Sequence, residues 1–199
     1  MKKLPLIKSN EVGTIAGKRG MGKSTIARMI GKLFKKLIVY DPMFEYGMLG
    51  TRVRNLDDIG QLDKVVYSPM NNTLEELEKF CDWVWIHRKN VMVILDEIDE
   101  HAKGNFLPPK FGRLCRLGRH KGLGVVGITR RIANLNKTLP ALSHHIISFR
   151  QNLPNDIEYL AEFIGKQPAS KIMELEKYQY IWYEDERSTF TIGKTKPVK

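Results

Sequence analysis

Gly17-Lys-Arg-Gly-Met-Gly-Lys-Ser24 is the stretch on which the reading of this chain turns. It fits G-x-x-x-x-G-K-[ST] and is followed by Thr25. Glycines allow the backbone to curl until successive N–H groups face one anion. Residues Val12 to Ala16, just upstream, read as a strand. Downstream, Thr25 to Lys36 reads as a helix, with Ile26, Met29, Ile30 and Leu33 at helical spacing and lysines in the last turn, where they suit the helix dipole. A helix that opens at the loop adds its positive dipole end to the same anion. Strand, glycine loop and helix together make a phosphate cradle. Its candidate nucleotide-binding residues are Gly17, Lys18, Arg19, Gly20, Met21, Gly22, Lys23, Ser24 and Thr25. Lys23 is placed to reach the β- and γ-phosphates of ATP, and Ser24 to offer its hydroxyl to Mg²⁺. The extra charges of Lys18 and Arg19 are expected to face solvent or a neighbouring subunit's nucleotide.

A second segment complements the first. Val91-Met-Val-Ile-Leu-Asp96-Glu97 is an apolar strand ended by two acids. An aspartate at the carboxyl end of a parallel strand lies beside the phosphate loop, and Asp96 is the expected partner of Ser24 at the metal. Glu97 comes directly after it. A carboxylate there can polarise water for in-line attack on the γ-phosphate, which makes the expected reaction hydrolysis. Strand candidates at residues 37–40 and 65–67 lie between loop and aspartate, and another at 125–129 follows. In hydrolytic phosphate-loop proteins that later strand is inserted between the loop strand and the aspartate strand. The sequence reveals its existence but not its place.

Elsewhere strands and helices alternate. Thr73 to Arg88 reads as a helix, with Thr73 and Glu76 spaced as a capping box. Pro109 to His120 and Asn155 to Ile164 are further helices, the first with proline near its start and the second closed by Gly165. Ile146 to Phe149 is another strand. Continuously apolar strands between helices indicate a mainly parallel sheet covered on both faces, a three-layer α/β/α arrangement. The end of the chain differs. Tyr178, Tyr180 and Trp182 alternate with other residues before the charged turn Glu184-Asp-Glu-Arg187 and Thr189–Ile192. That reads as a hairpin with a packed aromatic face. The 199 residues are expected to form one domain, a core of about residues 10–165 with an extension over about 166–199.

Composition narrows the function further. Two cysteines, Cys81 and Cys115, without a CxxC, argue against a disulfide framework or a cysteine zinc site and favour a reducing cytoplasm. No apolar run is long enough to span a membrane, and the first residues lack the apolar stretch of a signal peptide. Net charge is +11 and unevenly spread: +9 over residues 1–36, −7 over 37–100 and +10 over 101–155, where no acid occurs. Basic blocks flanking an acidic one suit a polyanion partner, and a solvated basic face would look the same.

Arg113, Arg116 and Arg119 recur every three residues on an arc of about 120° of the expected helix, with Phe111, Leu114 and Leu117 on the opposite arc. Such a face can supply an arginine finger to a neighbour's active site, contact DNA phosphate, form a kinase lid, or face water.

From Val91 onward the pattern resembles the FtsK–HerA superfamily of DNA-pumping ATPases. The residues that carry the resemblance are VMVILDE, then GRHKGLGVVGITRR, then ALSHHIISFR. The small size looks most like the genome-packaging ATPases of tailless, membrane-containing double-stranded DNA viruses. The resemblance implies a RecA/FtsK-like phosphate-loop fold, ATP and Mg²⁺ as cofactors, and sequence-independent binding of double-stranded DNA. It also implies self-association into a ring, a hexamer, and capsid vertex partners if the chain is viral. Arg119 then matches the interface arginine, with Arg116 and Arg113 next. The family's polar sensor after threonine is usually glutamine, and here the position is Arg130, which could sense the γ-phosphate or serve the DNA channel. A body roughly 40 Å across cannot encircle duplex DNA alone, which favours a ring.

Other readings stay open: a cellular or plasmid DNA translocase of the same kind, a nucleoside or nucleotide kinase, and a dimeric MinD-like switch in which Lys18 bridges subunits. The expected location is the host cytoplasm or the virion, without membrane insertion.

Overall fold

The computed structural model describes residues 7–196. The reading that no leader is present falls largely on residues 1–6, which lie outside the described residues. Nine strands form one sheet: β1 (Val12–Ala16), β2 (Leu37–Tyr40), β3 (Thr51–Val53), β4 (Lys64–Tyr67), β5 (Met92–Leu95), β6 (Gly124–Thr129), β7 (His145–Phe149), β8 (Gln179–Glu184) and β9 (Thr189–Lys194). Their spatial order is β3-β4-β2-β5-β6-β1-β7-β8-β9. The first seven in chain order pair in parallel, and β8 and β9 close one edge antiparallel. Every residue of β1, β2, β5, β6 and β7 is buried. That is the condition for continuous apolar strands, since neither face of the sheet meets water.

Alternate residues feed two cores. Ile38, Tyr40, Val93 and Leu95 pack beneath α2 (Leu74–His87), α3 (Pro109–Leu117) and α5 (Pro154–Ile164). Leu37, Val39, Met92 and Ile94 face the other way, towards Ile26 and Ile30 of α1 (Lys23–Lys32). The three-layer α/β/α expectation is met, and so is the terminal hairpin, whose Tyr180 and Trp182 are buried against the α1 side of the sheet.

Several boundaries differ from the sequence reading. Helix α1 stops at Lys32, and Lys35 and Lys36 belong to the loop that enters β2. Its buried face is Ile26, Ala27, Ile30 and Gly31, whereas Met29 and Leu33 are exposed. The small residues decide this. A Cβ on Gly31 would lie 2.9 Å from Leu49 Cδ1, so the helix approaches its neighbours along that line. Thr73 caps α2, its hydroxyl accepting from Glu76 N at 3.2 Å. The Glu76 carboxylate accepts from Tyr67 Oη, so only half of the expected capping box forms. Helix α3 ends at Leu117, itself exposed, and Gly118–Lys121 is a tight 3-10 turn. The edge strand β3 and the short helices α4 (Thr138–Ala141) and α6 (Lys166–Lys171) have no counterpart in the sequence reading; segments this short do not repeat a hydrophobic period often enough to show it.

The strand order positions the site. β6 lies between β1 and β5, with Ala16 beside Thr129 and Leu95 beside Gly127. The glycine loop after β1, Arg130 after β6 and Asp96-Glu97 after β5 therefore leave the sheet side by side at one end. Among the described residues, no helix is long and apolar enough to cross a membrane.

Candidate nucleotide-binding and hydrolytic site

The glycines of the loop answer to two separate demands. Gly17, Gly20 and Gly22 have φ of +154°, +76° and +113°, a region side-chain-bearing residues rarely enter. Space also excludes a side chain at two of them. A Cβ on Gly17 would lie 2.6 Å from Phe149 Cβ, and one on Gly22 would lie 2.7 Å from Thr195 Oγ1. Phe149 of β7 thus presses the loop at both Gly17 and Gly22, joined at Gly22 by Thr195 just after the hairpin. Lys18 and Arg19 are exposed, as expected. Lys23 opens α1, is only 8% exposed, and donates from Nζ to the Lys18 carbonyl at 3.2 Å. The free N–H groups of the first helical turn point into the same cradle.

The cradle forms one wall of a cleft of about 320 Å³ lined by Arg19, Gly20, Gly22, Lys23, Ser24, Thr25, Arg28, Met43, Glu45, Asp96, Glu97, Arg130 and Tyr178. Lys23, Ser24, Asp96, Glu97 and Arg130, from three separate stretches of sequence, are brought together here. Asp96 is held on both oxygens: Oδ2 accepts from the Tyr46 hydroxyl at 2.9 Å and Oδ1 from Glu97 N at 2.8 Å. Glu97 adopts φ +55°, ψ +34°, a left-handed conformation uncommon for a residue with a side chain. It turns the chain sharply out of β5. Both its oxygens lie within 2.8 Å of Arg130 Nε.

Burial sets the electrostatics. It pushes Asp96 up to about 6, against the Tyr46 hydroxyl, the Glu97 N–H and the Lys23 charge, which favour the anion. Glu97 is pushed up to about 7, first by burial and then by the Asp96 charge, with Arg130 opposing. Lys23 is lowered by burial, with Asp96 and Glu97 restoring part of the loss. Loss of hydration is the largest single influence on Arg130 and lowers it, but the Glu97 charge and hydrogen bond together with the Glu100 and Asp99 charges raise it overall. A carboxyl poised near neutral beside a fixed lysine is suited to proton transfer. The oxygens of Ser24 and Asp96 in this cleft are hard donors that fit Mg²⁺, which prefers carboxylate and hydroxyl oxygen over nitrogen or sulfur.

The arginine face is redistributed. Arg113 pairs with Asp82 and lies 4.8 Å from the Trp85 ring centroid, so α2 holds it. Arg116 and Arg119 are exposed and make no ion pair among the described residues. The turn carrying Arg119 precedes β6, at the end of the sheet opposite the cleft, and none of the three arginines lines it. Five of the ten basic residues in the acid-free stretch pair with acids from other segments: Lys110, Arg113, Arg130, Arg131 and Lys137. The +10 block is therefore partly neutralised within the chain.

Sequence reasoning missed Arg28, Met43, Glu45, Tyr46 and Tyr178. Arg28 Nε donates to the Ser24 carbonyl at 3.0 Å, and Tyr178 reaches the cleft from the start of the hairpin. Asp41-Pro-Met-Phe-Glu-Tyr46 carries a visible signal, three ionisable side chains directly after a buried strand.

A phosphate cradle, an Asp-Glu strand and a strand inserted between them define a phosphate-loop NTPase fold. Solved structures bear this out at the level of fold. The genome packaging NTPase B204 from Sulfolobus turreted icosahedral virus 2, in complex with ATP-gammaS, is 22% identical over 97% of this chain and 100% of its own, with a TM-score of 0.85. The DNA-packaging ATPase B204 from Sulfolobus turreted icosahedral virus is 23% identical with the same coverage and a TM-score of 0.83. VirB4 of Thermoanaerobacter pseudethanolicus is 10% identical over 94% of this chain and 89% of its own, with a TM-score of 0.69. No protein-family model matches the sequence, and no curated protein matches it.

Proposed function

We propose that this chain is an ATPase that drives double-stranded DNA into a viral capsid as part of a homo-oligomeric ring. The observation that carries the reading is the convergence of Lys23, Ser24, Asp96 and Glu97 on one cleft in a fold shared with genome-packaging NTPases. The loop N–H groups and Lys23 bind and neutralise the β- and γ-phosphates. Ser24 and Asp96 would hold Mg²⁺, which when bound neutralises charge on the β- and γ-oxygens. Glu97 accepts a proton from water as its oxygen attacks the γ-phosphorus, the bond to the ADP oxygen breaks, and phosphate leaves. Arg130 orients the Glu97 carboxylate and favours its anionic form against burial. Arg119 cannot reach the cleft of its own chain, so as a finger it acts only across a subunit interface, where such an arginine is worth about 10³–10⁵ in rate.

The exposed arginines Arg116 and Arg119 support contact with a phosphate backbone, and no base-reading motif accompanies them, which favours sequence-independent binding. A single ATPase domain, a hexameric ring, capsid vertex partners and a cytoplasmic or virion location belong to the same proposal. The test is phosphate release from ATP and Mg²⁺ with and without linear duplex DNA. Stimulation by DNA supports the motor, whereas ADP formed only when a nucleoside is present would identify a kinase instead. The fold likeness to VirB4 keeps a cellular or plasmid translocase as a second reading with the same chemistry.

A further inference from the structure

Two groups proposed to share Mg²⁺, Ser24 and Asp96, are each tied to a neighbouring residue of one short turn. The Ser24 hydroxyl donates to Glu45 Oε2, and the Tyr46 hydroxyl donates to Asp96 Oδ2 at 2.9 Å. Glu45 and Tyr46 are adjacent in sequence. Their own backbone N–H groups donate to the two oxygens of Asp41, Glu45 N to Oδ1 and Tyr46 N to Oδ2, both at 2.9 Å. Asp41 and Tyr46 are fully buried, and Asp41 follows directly on β2, beside β5. The turn contains Phe44 at φ +60°, a left-handed conformation that its surroundings must hold in place. One buried carboxylate therefore fixes two successive residues, and each of these hydrogen-bonds one of the two metal-site groups.

We propose that Asp41–Tyr46 is a latch that sets the magnesium site, with Glu45 and Tyr46 as positioning residues for Ser24 and Asp96. This rests on the reading of the cleft as an ATP site. The direction of each hydrogen bond supports it. A serine hydroxyl that ligates a cation must place its proton elsewhere, and Glu45 is an acceptor for that proton, leaving the serine lone pairs for the metal. Tyr46 donates to one Asp96 oxygen while Glu97 N donates to the other, which fixes the carboxylate plane. Such partners of metal ligands typically govern about tenfold to a hundredfold in metal affinity.

The test uses the full chain and a non-hydrolysable ATP analogue. Binding is measured first with EDTA and then as Mg²⁺ is added, for wild type, Glu45→Ala, Glu45→Gln and Tyr46→Phe. Tyr46→Phe keeps the buried ring and removes only the hydroxyl. Glu45→Gln keeps an acceptor for the serine proton. The metal-free affinity of all four is expected to agree within about twofold. The Mg²⁺ concentration at half effect is expected to rise about tenfold or more in Glu45→Ala and Tyr46→Phe, with Glu45→Gln close to wild type. Unchanged Mg²⁺ midpoints in Glu45→Ala and Tyr46→Phe would overturn the latch, as would a parallel loss of metal-free binding, which marks a general structural role. If wild type binds the analogue under neither condition, the ATP reading itself fails, a result separate from any difference among the variants.

Discussion

Arg130 Nε lies 2.8 Å from Oε1 of Glu97 and 2.7 Å from Oε2. The proposed water-activating carboxylate is thus gripped by a cation from the strand that separates it from the phosphate loop. A glutamine at this position, as the resemblance leads one to expect, would hydrogen-bond to Glu97 without holding its charge. Arg130→Ala removes the main influence that opposes burial at Glu97. The acid limb of the kcat–pH profile should move to higher pH, with activity at neutral pH recovered in part on the alkaline side. An acid limb unmoved by the substitution would detach Arg130 from Glu97 function.

Glu97→Gln should keep ATP binding and lose hydrolysis by about 10²–10⁴. Turnover close to wild type would remove Glu97 from the role of base.

The same substitution has a stability signature. Glu97 is raised from 4.5 to about 7, so the native protein binds a proton over that window that the unfolded chain does not. Its contribution to stability is fully present below pH 4.5 and is lost as pH rises through about 7. At pH 8 the anion costs no more than about 3.5 kcal/mol, since one pKa unit is about 1.4 kcal/mol, and solvent screening of the exposed part of the carboxylate lowers that. Asp96, pushed up to about 6, acts in the same direction. The nucleotide-free protein should therefore melt at a lower temperature at pH 8 than at pH 5.5, and Glu97→Gln should show a smaller difference. Thermal denaturation across this range checks it; a difference as large in Glu97→Gln as in wild type contradicts the assignment.

Lys23→Ala removes the one buried cation of the cradle. ATP turnover should fall to background through weakened phosphate binding, read by calorimetry with ATP. The fold should be retained, because Lys23 makes a single hydrogen bond to the loop, to the Lys18 carbonyl.

Arg119→Ala should lose hydrolysis in the assembly without losing ATP binding. Arg113→Ala should instead lower stability, because Arg113 joins α3 to α2 through Asp82 and Trp85. Mixing Arg119→Ala with Glu97→Gln subunits should restore some turnover if the arginine acts across an interface. Mixtures as inactive as their components would reassign Arg119.

The cradle was legible because its chemistry is contiguous. Glycines at Gly17, Gly20 and Gly22, followed at once by Lys23 and Ser24, specify a backbone shape and a charge within eight residues. The continuously apolar strands likewise announced a sheet covered on both faces. The helical spacing of Met29 and Leu33 misled, because Ala27 and Gly31 let α1 turn a closer line towards its neighbours. The arginine repeat misled in part for a related reason: Asp82 and Trp85, which claim Arg113, belong to a different helix.

By itself the sequence determined the phosphate loop, the acidic end of β5 and the layered fold, since each is written in neighbouring residues or in a short period. Only the tertiary structure decided which groups share the cleft. Tyr46 meets Asp96 across fifty positions and Arg130 meets Glu97 across thirty-three. The cause is the order of parallel strands, which brings the ends of β1, β2, β5 and β6 to one edge. Strand order is set by long-range packing, and no local pattern of residues encodes it.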